Sequence, residues 1–367
     1  MNQERLTKLN RQILAHGYDG IALMPGPNMV YLTGIHTHIS ERPIILFLPV
    51  DDDPAIIIPT LEAMKARDAG LLKERIFDWS DEQGYTDAFQ RGCAQLELSD
   101  YLLGVEALHM RLLEVELIQR YAPGVSLAHV EPVMTALRIT KDKTELAAMQ
   151  KAAQVAENAI ENLLLRIVVG MTEQEIAVML LEELVKAGSE GVPFGPIVSS
   201  GPNAGSPHAV PTERPIQEGE MLVIDWGAVV DGYPSDITRT FAVGEVEPEF
   251  VRIYNSVKDV NAAAKAIARP GATGSEVDRA ARKTIEDNDF GSFFIHRTGH
   301  GLGLEIHEPP YIVEGNDEPL VVGTVFTIEP GIYLPDRIGV RIEDDVVITE
   351  DGSRSLTSYP RDLITIG

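Results

Sequence analysis

Two kinds of hydrophobic pattern alternate along the first 130 residues. The opening segment has helical spacing, with Leu6, Leu9 and Ile13 on one side. Helical spacing returns in LEAMKARDAGLLKE. Short apolar runs lie between the helical segments, and we interpret these as strands: YDGIALMPG, NMVYLTG, PIILFLPV, AIIIPT and YLLGVEA. The alternation predicts a compact α/β domain with a mixed sheet.

The pattern changes near residues 130–140, where a polar segment interrupted by Pro132 leads into a long predicted helix. This helix has one apolar face and runs from about Thr144, its predicted N-cap, to Val168. A boundary at the polar segment gives two predicted domains, 1–132 and 133–367. We expect the first to be α/β and the second, with its separate groups of helices and strands, to be α+β.

The second domain repeats one order of elements: two helices and then strands. The first helix pair ends at Gly188, after a second helix that Thr172 caps. The next pair is predicted at 249–268 and 274–288. Strands rich in Val, Ile and Thr follow each pair, so the sequence indicates a weak internal duplication.

Each repeat carries two carboxylates on a predicted strand hairpin. In the first repeat, Asp231-Gly232 is a strong turn signal between LVIDWGAVV and DITRTFAV. With that turn as the centre of the hairpin, Asp225 and Asp236 fall on the same face, close to a diagonal pair.

The second repeat has the same arrangement. Pro335-Asp336 turns the chain between VFTIEPGIYL and GVRIEDDVVI, so that Glu329 and Glu343 are predicted to face each other. Two like-charged pairs on inward faces repel each other unless cations lie between them. Packing the two hairpins side by side therefore predicts a cup of four carboxylates that holds metal ions.

An imidazole completes this set. His300 lies in the glycine-rich segment TGHGLG, and a ligand set of oxygens with one imidazole suits divalent ions such as Mn²⁺, Co²⁺ or Zn²⁺. Taken singly, each aspartate has an alternative role as a strand-end cap or ion-pair partner, and His300 as a buried structural histidine. The recurrence of five candidates in one pattern favours metal binding. The predicted metal ligands are Asp225, Asp236, His300, Glu329 and Glu343.

Three further residues are predicted to serve this site. His208 lies in a loop rich in Gly and Pro, and His307 follows His300 by seven residues, at the predicted far end of the same strand. Both have the alternative of being ordinary surface histidines, but beside two metal ions they are suited to stabilise a tetrahedral intermediate. Arg341 points to the same face as Glu343, where it either pairs with a ligand carboxylate or orients a carboxylate of the substrate.

Composition excludes several classes of function. The formal net charge of −25 argues against nucleic acid as a partner, because phosphate binding needs clustered Lys and Arg. Cys93 is the single cysteine, so no intrachain disulfide can form and an oxidising compartment is not required. The N-terminus lacks the apolar core of a signal peptide, and Ile44–Leu48 is too short to cross a bilayer. We therefore expect a cytoplasmic protein without a membrane partner.

Six segments in the second domain resemble, in order, the signature segments of the pita-bread metallopeptidases: SGPNAGSPHA, VIDWGA, SDITRT, HRTGHGLGLEIHE, TIEPG and GVRIED. The likeness is greatest to Xaa-Pro dipeptidase (prolidase) and Xaa-Pro aminopeptidase, while NMVYLTGI and LGVE resemble the creatinase-like N-terminal domain. The resemblance implies a creatinase-like domain over 1–132 and a pseudo-twofold pita-bread catalytic domain over 133–367. It also implies a homodimer and two divalent metal ions per subunit, with Mn²⁺ expected before Co²⁺ or Zn²⁺.

The resemblance also implies a role for each ligand. Asp225 and Asp236 bind metal, and Asp236 bridges the two ions. His300 and Glu329 bind the same ion, and Glu343 is the second bridge.

The remaining implied roles are catalytic. His208 and His307 contact the substrate and stabilise the intermediate, and Glu329 moves the proton. Arg341 matches the family arginine near the bridging glutamate.

The activity implied is hydrolysis of the Xaa-Pro bond at the N-terminus of dipeptides or short proline-containing peptides. One departure concerns HEPPYI, because many prolidases carry an arginine here that helps hold the dipeptide's carboxylate. This departure leaves longer Xaa-Pro peptides open as substrates. The alternatives are a lyase or amidinohydrolase-like enzyme of the same fold, or a non-catalytic peptide-binding module. The retained ligand set argues against all three.

Overall fold

The computed structural model describes residues 1–367, and the chain divides after Arg138 into two units, Met1–Arg138 and Ile139–Gly367. The domain boundary at 132/133 stays a prediction. None of the helices combines the length and the apolar composition that crossing a membrane requires.

The first unit is built on a six-stranded mixed sheet, as predicted from its alternating pattern. Its elements are α1 (Gln3–Ala15), β1 (Gly20–Leu23), α2 (Pro27–Thr33), β2 (Ile45–Pro49), β3 (Ala55–Pro59), α3 (Ala63–Asp68), β4 (Ile76–Trp79), α4 (Thr86–Gln95), β5 (Leu102–Val105), α5 (Leu112–Tyr121), β6 (Ser126–His129) and α6 (Glu131–Arg138). The strands are ordered β4-β3-β2-β1-β5-β6; β2 runs antiparallel to both neighbours, and the other pairings are parallel.

One predicted strand of this unit is wrong. NMVYLTG forms the helix α2 rather than a strand. Pro27 occupies the first turn, where its missing N–H costs nothing, and Gly34 ends the helix in the left-handed conformation with φ 73°. These two end signals outweigh the β-branched and aromatic residues between them.

The second unit begins with the predicted helix pair. The N-cap of the first helix is Asp142, two residues before the predicted Thr144, and Asp142 and Glu145 form a reciprocal capping box. It ends at Leu164 rather than Val168. The second helix is capped by Thr172, as predicted. The four helices of this unit are α7 (Lys143–Leu164), α8 (Glu173–Ala187), α9 (Pro248–Ile267) and α10 (Gly274–Asp287).

Strands follow each helix pair, and all but the last pair in antiparallel fashion, which is the duplicated order that the sequence indicates. After the first pair come β7 (Ile197–Ser200), β8 (Met221–Trp226), β9 (Val229–Val230), β10 (Tyr233–Pro234) and β11 (Ile237–Val243). After the second pair come β12 (Gly299–Gly301), β13 (Glu308–Ile312), β14 (Val325–Ile328), β15 (Gly331–Leu334), β16 (Ile338–Arg341), β17 (Asp344–Thr349), β18 (Gly352–Ser355) and β19 (Thr365–Ile366). The two main sheets are ordered β19-β11-β8-β7 and β13-β12-β14-β17-β18.

The first predicted hairpin forms with the predicted turn. Asp231 and Gly232 both have positive φ, 50° and 76°, and join β9 to β10. Farther from the turn, β8 pairs with β11, and Asp225 lies opposite Thr238. Asp236, two residues before Thr238, is therefore the diagonal neighbour of Asp225 on the same face.

The second hairpin also forms at the predicted position. Asp336 has a φ of 58°, and β15 pairs with β16 so that Gly331 lies opposite Arg341. Continuing this register by two residues on each strand sets Glu329 opposite Glu343. The Glu343 N–H donates to the Thr238 carbonyl at 3.0 Å, which joins the second hairpin to the first.

A buried carboxylate holds the loop between β7 and β8. Glu173, the first residue of α8, is fully buried, and one of its oxygens accepts the Ser200 N–H at 2.7 Å. The other oxygen accepts the Asn203 side-chain amide at 2.7 Å and both the N–H and the hydroxyl of Thr212. The loop that carries His208 is thus anchored at both ends to one side chain at a helix N-terminus.

Glu173→Gln tests this anchor. The variant replaces one acceptor oxygen of Glu173 by an NH₂ group, which faces N–H and O–H donors and cannot accept from them. We therefore expect the free energy of unfolding to fall by about 2 kcal/mol and the Tm to fall by several degrees. Glu182→Gln is the matched control, because Glu182 is exposed on the same helix, and its Tm should stay within 1–2 °C of the parent, roughly the spread of surface substitutions. Equal Tm values for the two variants in thermal unfolding would contradict the anchor.

Candidate metal centre

The predicted site residues line one cleft of about 720 Å³ within the second unit. Part of the lining is apolar and includes Phe194, Pro207 and Val210. The lining also includes every residue that the sequence predicts for the site: Asp225, Asp236, His300, Glu329 and Glu343 as metal ligands, with His208, His307 and Arg341.

Three of these side chains converge on one point. Asp236, His300 and Glu343 are buried, and each has one ligand atom within 4.8 Å of those of the other two. The Nε2 atom of His300 lies 3.6 Å from Asp236 Oδ2 and 3.4 Å from Glu329 Oε1. Four of the five predicted ligands thus meet in one place.

His300 is oriented for this contact by its other ring nitrogen. Its Nδ1 lies 3.1 Å from the Gly301 carbonyl, which can only accept, so Nδ1 carries the proton and Nε2 presents a lone pair. Burial lowers the pKa of His300 to about 3, so the ring is neutral near neutral pH. Gly299 is required beside it, because a Cβ there would lie 1.8 Å from the Thr327 carbonyl of the neighbouring strand.

The buried carboxylates of the site lie close together although their negative charges repel one another. Burial, and then the charge of Glu343, raise the pKa of Asp236 well above its usual range. Burial, and then Glu329, do the same for the pKa of Glu343. One oxygen of Asp236 and one of Asp225 are buried without any hydrogen-bond partner. Inward oxygens without donors, together with an imidazole lone pair, fit a divalent cation.

Asp225 is engaged differently from the other predicted ligands. Its Oδ2 accepts from Arg341 Nη2 at 2.7 Å, in an ion pair that is almost completely buried. The rest of the Arg341 guanidinium donates to the Thr238 hydroxyl, the Pro207 carbonyl and the Tyr333 hydroxyl. Of the two alternatives for Arg341, the structure contains the ion pair with a predicted ligand, and no donor nitrogen of this arginine is left unused.

Two threonines of the site are missed by the sequence reasoning. The Thr238 hydroxyl donates to Glu343 Oε2 at 2.6 Å, and the Thr327 hydroxyl donates to Glu329 Oε1 at 3.3 Å. Each threonine lies two residues from a predicted ligand on an extended segment, so the alternation of strand faces already places it on the same side. That spacing is the signal that identifies them.

Two charged residues outside the cleft support the ligand segments. Asp345 Oδ2 accepts the Asp236 N–H at 3.0 Å. Arg239 is fully buried, pairs with Asp344 at 2.8 Å and donates to the carbonyl of Glu343. Both ligand segments are therefore held by charged side chains as well as by sheet hydrogen bonds.

The two predicted catalytic histidines lie at the exposed side of the cleft. His307 lies just before β13 rather than at the end of the strand that carries His300, because the chain reverses between them. This reversal brings the two rings into an edge-to-face contact with centroids 4.3 Å apart. Partial burial, followed by the charge of Arg297, lowers the pKa of His307. His208 is exposed and also lines the cleft.

Comparison with known proteins agrees with this geometry. The family model for Metallopeptidase family M24 matches residues 147–350, and that for the Creatinase/Prolidase N-terminal domain matches residues 5–140. A solved prolidase structure from Thermococcus sibiricus is similar, with a TM-score of 0.94 at 35% identity over 100% of both chains.

Two relatives align along nearly the whole sequence. An Xaa-Pro dipeptidase of Pyrococcus furiosus is 34% identical over 99% of this chain and 100% of its own length. A probable dipeptidase of Mycobacterium tuberculosis, PepE, is 38% identical over 95% of this chain and 92% of its own length. These matches confirm the fold class and the resemblance that the sequence motifs indicate. The chain belongs to metallopeptidase family M24 and carries the N-terminal domain of the creatinase/prolidase type.

Proposed function

We propose that this enzyme hydrolyses the peptide bond between an N-terminal residue and proline in dipeptides or short peptides. The observation that carries the proposal is the convergence of Asp236, His300, Glu329 and Glu343 at the floor of the cleft. The name of the Pyrococcus furiosus relative, Xaa-Pro dipeptidase, supports the choice of bond. The apolar residues of the lining, among them Phe194 and Val210, suit a proline ring.

We propose that two divalent metal ions bind here, Mn²⁺ in preference to Co²⁺ or Zn²⁺. The residues that would hold them are Asp225, Asp236, His300, Glu329 and Glu343. When bound, such ions lower the pKa of a water molecule toward neutrality and polarise a carbonyl. The oxygen-rich ligand set supports Mn²⁺.

Residues of the chain transfer the proton, stabilise the oxyanion and position the metal ligands. The side chain of Glu329 is 17% exposed, against 3% for His300 and 6% for Asp236, so it faces the substrate space most directly. It is placed to take the proton from the attacking water and deliver it to the leaving proline nitrogen. His307 and His208, at the rim, are placed to donate hydrogen bonds to the oxyanion. Arg341 positions Asp225 through their ion pair.

Proline also limits what the cleft must provide. The nitrogen of the Xaa-Pro bond carries no hydrogen, so the cleft needs no acceptor for an N–H at this position. After cleavage, that nitrogen needs a proton, which Glu329 supplies in this account.

We further propose a cytoplasmic homodimer. The only cysteine, Cys93, is a buried free thiol, so the fold uses no disulfide and suits a reducing compartment. The dimer rests on the family resemblance, and light scattering of the purified protein tests it. A non-peptidase enzyme or a binding module of the same fold is not favoured, because the named full-length relatives are dipeptidases.

Metal removal tests the proposed activity. Treatment with EDTA should abolish cleavage of Ala-Pro, because the water nucleophile then keeps its ordinary pKa. Adding Mn²⁺ should restore the rate, and Pro-Ala should stay uncleaved in both states. Metal content is measured on the same samples, and a full rate in protein shown to be metal-free would contradict the proposal.

Asp236→Asn should have opposite effects on the metal-free and metal-loaded protein. Burial and the charge of Glu343 raise the pKa of Asp236 above its value in the unfolded chain, so this carboxyl group destabilises the metal-free fold at pH values above the unfolded pKa, and the neutral amide should raise the metal-free Tm at pH 8. The same change removes a ligand charge, so the rise in Tm on adding Mn²⁺ should shrink.

Asp317→Asn is the control, because Asp317 is exposed and does not line the cleft. It should leave both Tm values unchanged. A metal-induced rise in Tm as large in Asp236→Asn as in the parent would remove Asp236 from the ligand set.

A further inference from the structure

A second cavity of the second unit lies apart from the metal centre. Its volume is about 630 Å³, and its lining shares no residue with that of the cleft. It lies between the C-terminal end of α9, the start of β18 and a segment near the C-terminus, and we call it the α9 pocket. Its charged lining residues are three basic ones, Lys265, Arg269 and Arg361, and one acidic one, Asp351. In a chain with a net charge of −25, this excess of basic residues reverses the charge locally.

Two of the basic side chains are held next to each other by a neutral group. The Lys265 Nζ donates to the Ser355 Oγ at 2.5 Å, and the Arg361 Nη2 donates to the same oxygen at 3.1 Å. A hydroxyl oxygen accepts both hydrogen bonds but neutralises neither charge. No carboxylate forms an ion pair with Lys265. Burial, followed by the charge of Arg361, lowers the pKa of Lys265, while the charge of Asp344 acts in the opposite direction. The half-buried ammonium is therefore a cation without a counter-charge in direct contact.

The end of the helix α9 does not by itself explain the position of this ammonium. Lys265 lies in the last turn of α9, where a cation interacts favourably with the helix dipole. However, the carbonyl of Lys265 already accepts from the Ala268 N–H at 3.2 Å and from the Ser353 hydroxyl at 3.3 Å. The ammonium bonds instead to Ser355 on the strand β18, next to Arg361.

Arg361 is fixed in its place before any ligand binds. Its Nε donates to the Asp344 Oδ2 at 2.5 Å, and the Asp344 Oδ1 accepts from Arg239 and from the Thr357 hydroxyl. Asp344 is fully buried, so this pair holds one edge of the guanidinium firmly. The Arg361 side chain is still 30% exposed, and its Nη1 has no acceptor in the protein. A guanidinium that is fixed on one edge and free at one nitrogen loses little freedom when it binds an anion.

The other charged residues of the α9 pocket indicate the charge of the ligand. Arg269 is exposed, and its guanidinium makes no hydrogen bond or ion pair with the chain. Asp351 pairs with none of the three basic residues, so three positive charges and one negative charge face the pocket. A phosphate group carries about −1.5 to −2 charges near neutral pH and has several strong acceptor oxygens, which suits donors that come from separate segments. A planar carboxylate has half of that charge, and a long polyanion is repelled by the acidic remainder of the chain.

We propose that the α9 pocket binds the phosphate group of a small molecule, either the free ion or a phosphate monoester, with Lys265, Arg269 and Arg361 as the donors. The cavity volume of about 630 Å³ is typical of sites for small molecules, so the pocket has room for the rest of a phosphorylated metabolite. The site is separate from the metal centre and does not depend on the proposed hydrolysis.

Calorimetric titration with inorganic phosphate at constant ionic strength tests this site. The Mn²⁺-loaded parent, freed of unbound Mn²⁺, should bind phosphate, and Lys265→Gln and Arg269→Gln should each weaken this binding by about 10- to 100-fold. Asp351→Asn should strengthen it several-fold, because the change removes a repelling charge from the lining. Phosphate that binds to metal ions in the cleft instead is not affected by these three variants, since none of the residues lines the cleft.

Lys258→Gln is the matched control for the loss of a positive charge. Lys258 lies on the same helix, does not line the α9 pocket, and its Nζ is already paired with Asp362 at 3.0 Å. It should bind phosphate as the parent does. The Tm of every variant is measured without phosphate, and Arg269→Gln carries the test if Lys265→Gln does not fold, because the Arg269 side chain is exposed and makes no bond within the protein.

Two further ligands identify the chemistry that the α9 pocket selects. Glycerol 3-phosphate that binds more tightly than inorganic phosphate assigns the site to a phosphorylated metabolite, and the reverse order assigns it to the free ion. Acetate should bind more weakly than both. The phosphate site is overturned if the parent binds no phosphate, if Lys265→Gln and Arg269→Gln bind it as tightly as the parent, or if acetate binds as tightly as phosphate.

Discussion

The structure of the catalytic unit depends on one electrostatic constraint: carboxylate oxygens and an imidazole lone pair point at the same buried volume. Asp236, Glu329 and Glu343 repel one another there, and Nε2 of His300 offers no proton to relieve the repulsion. Such an arrangement persists only if the surrounding fold enforces it and a cation completes it. The fold and the proposed chemistry are therefore two consequences of the same geometry.

The surrounding structure enforces the arrangement by leaving each ligand little freedom. The ligands lie on or next to paired strands, which fix their direction, and a hydroxyl or a charged group fixes several of their side chains. Thr238 holds Glu343, and Arg341 holds Asp225. Because these partners occupy only part of the ligand set, one oxygen of Asp225 and one of Asp236 remain buried without a donor. Arg341 is itself fixed, because each of its donor nitrogens bonds to a group of the protein.

Much of the site could be predicted from sequence because its geometry is local. Asp231-Gly232 specifies a turn, and the alternation of strand faces then relates Asp225 to Asp236 without any knowledge of the rest of the fold. The predictions of helices and strands were wrong where the residues that start and end a helix favoured a different structure from the residues between them. NMVYLTG has β-branched and aromatic residues, yet Pro27 and Gly34 make it a helix. Asp142 is a better N-cap than Thr144 because Glu145 completes its capping box.

Interactions between distant segments were beyond sequence reasoning. Stacking of Arg297 on Tyr311 depends on how β12 and β13 pair, and a shift of register occurs between His300 and Gly301. The reversal that brings His307 against His300 likewise follows from this pairing and not from the seven-residue spacing. Glu173 gathers donors from three separate positions of a loop, and no local pattern marks it as their acceptor.

Diffraction from crystals grown with Mn²⁺, measured at the manganese absorption edge, tests the central claim most directly. The account predicts two anomalous peaks at the floor of the cleft, one of them in contact with Nε2 of His300 and both in contact with Asp236 and Glu343. An anomalous map without peaks among these side chains, with the carboxylates turned apart or paired with a basic residue of the chain, would contradict it.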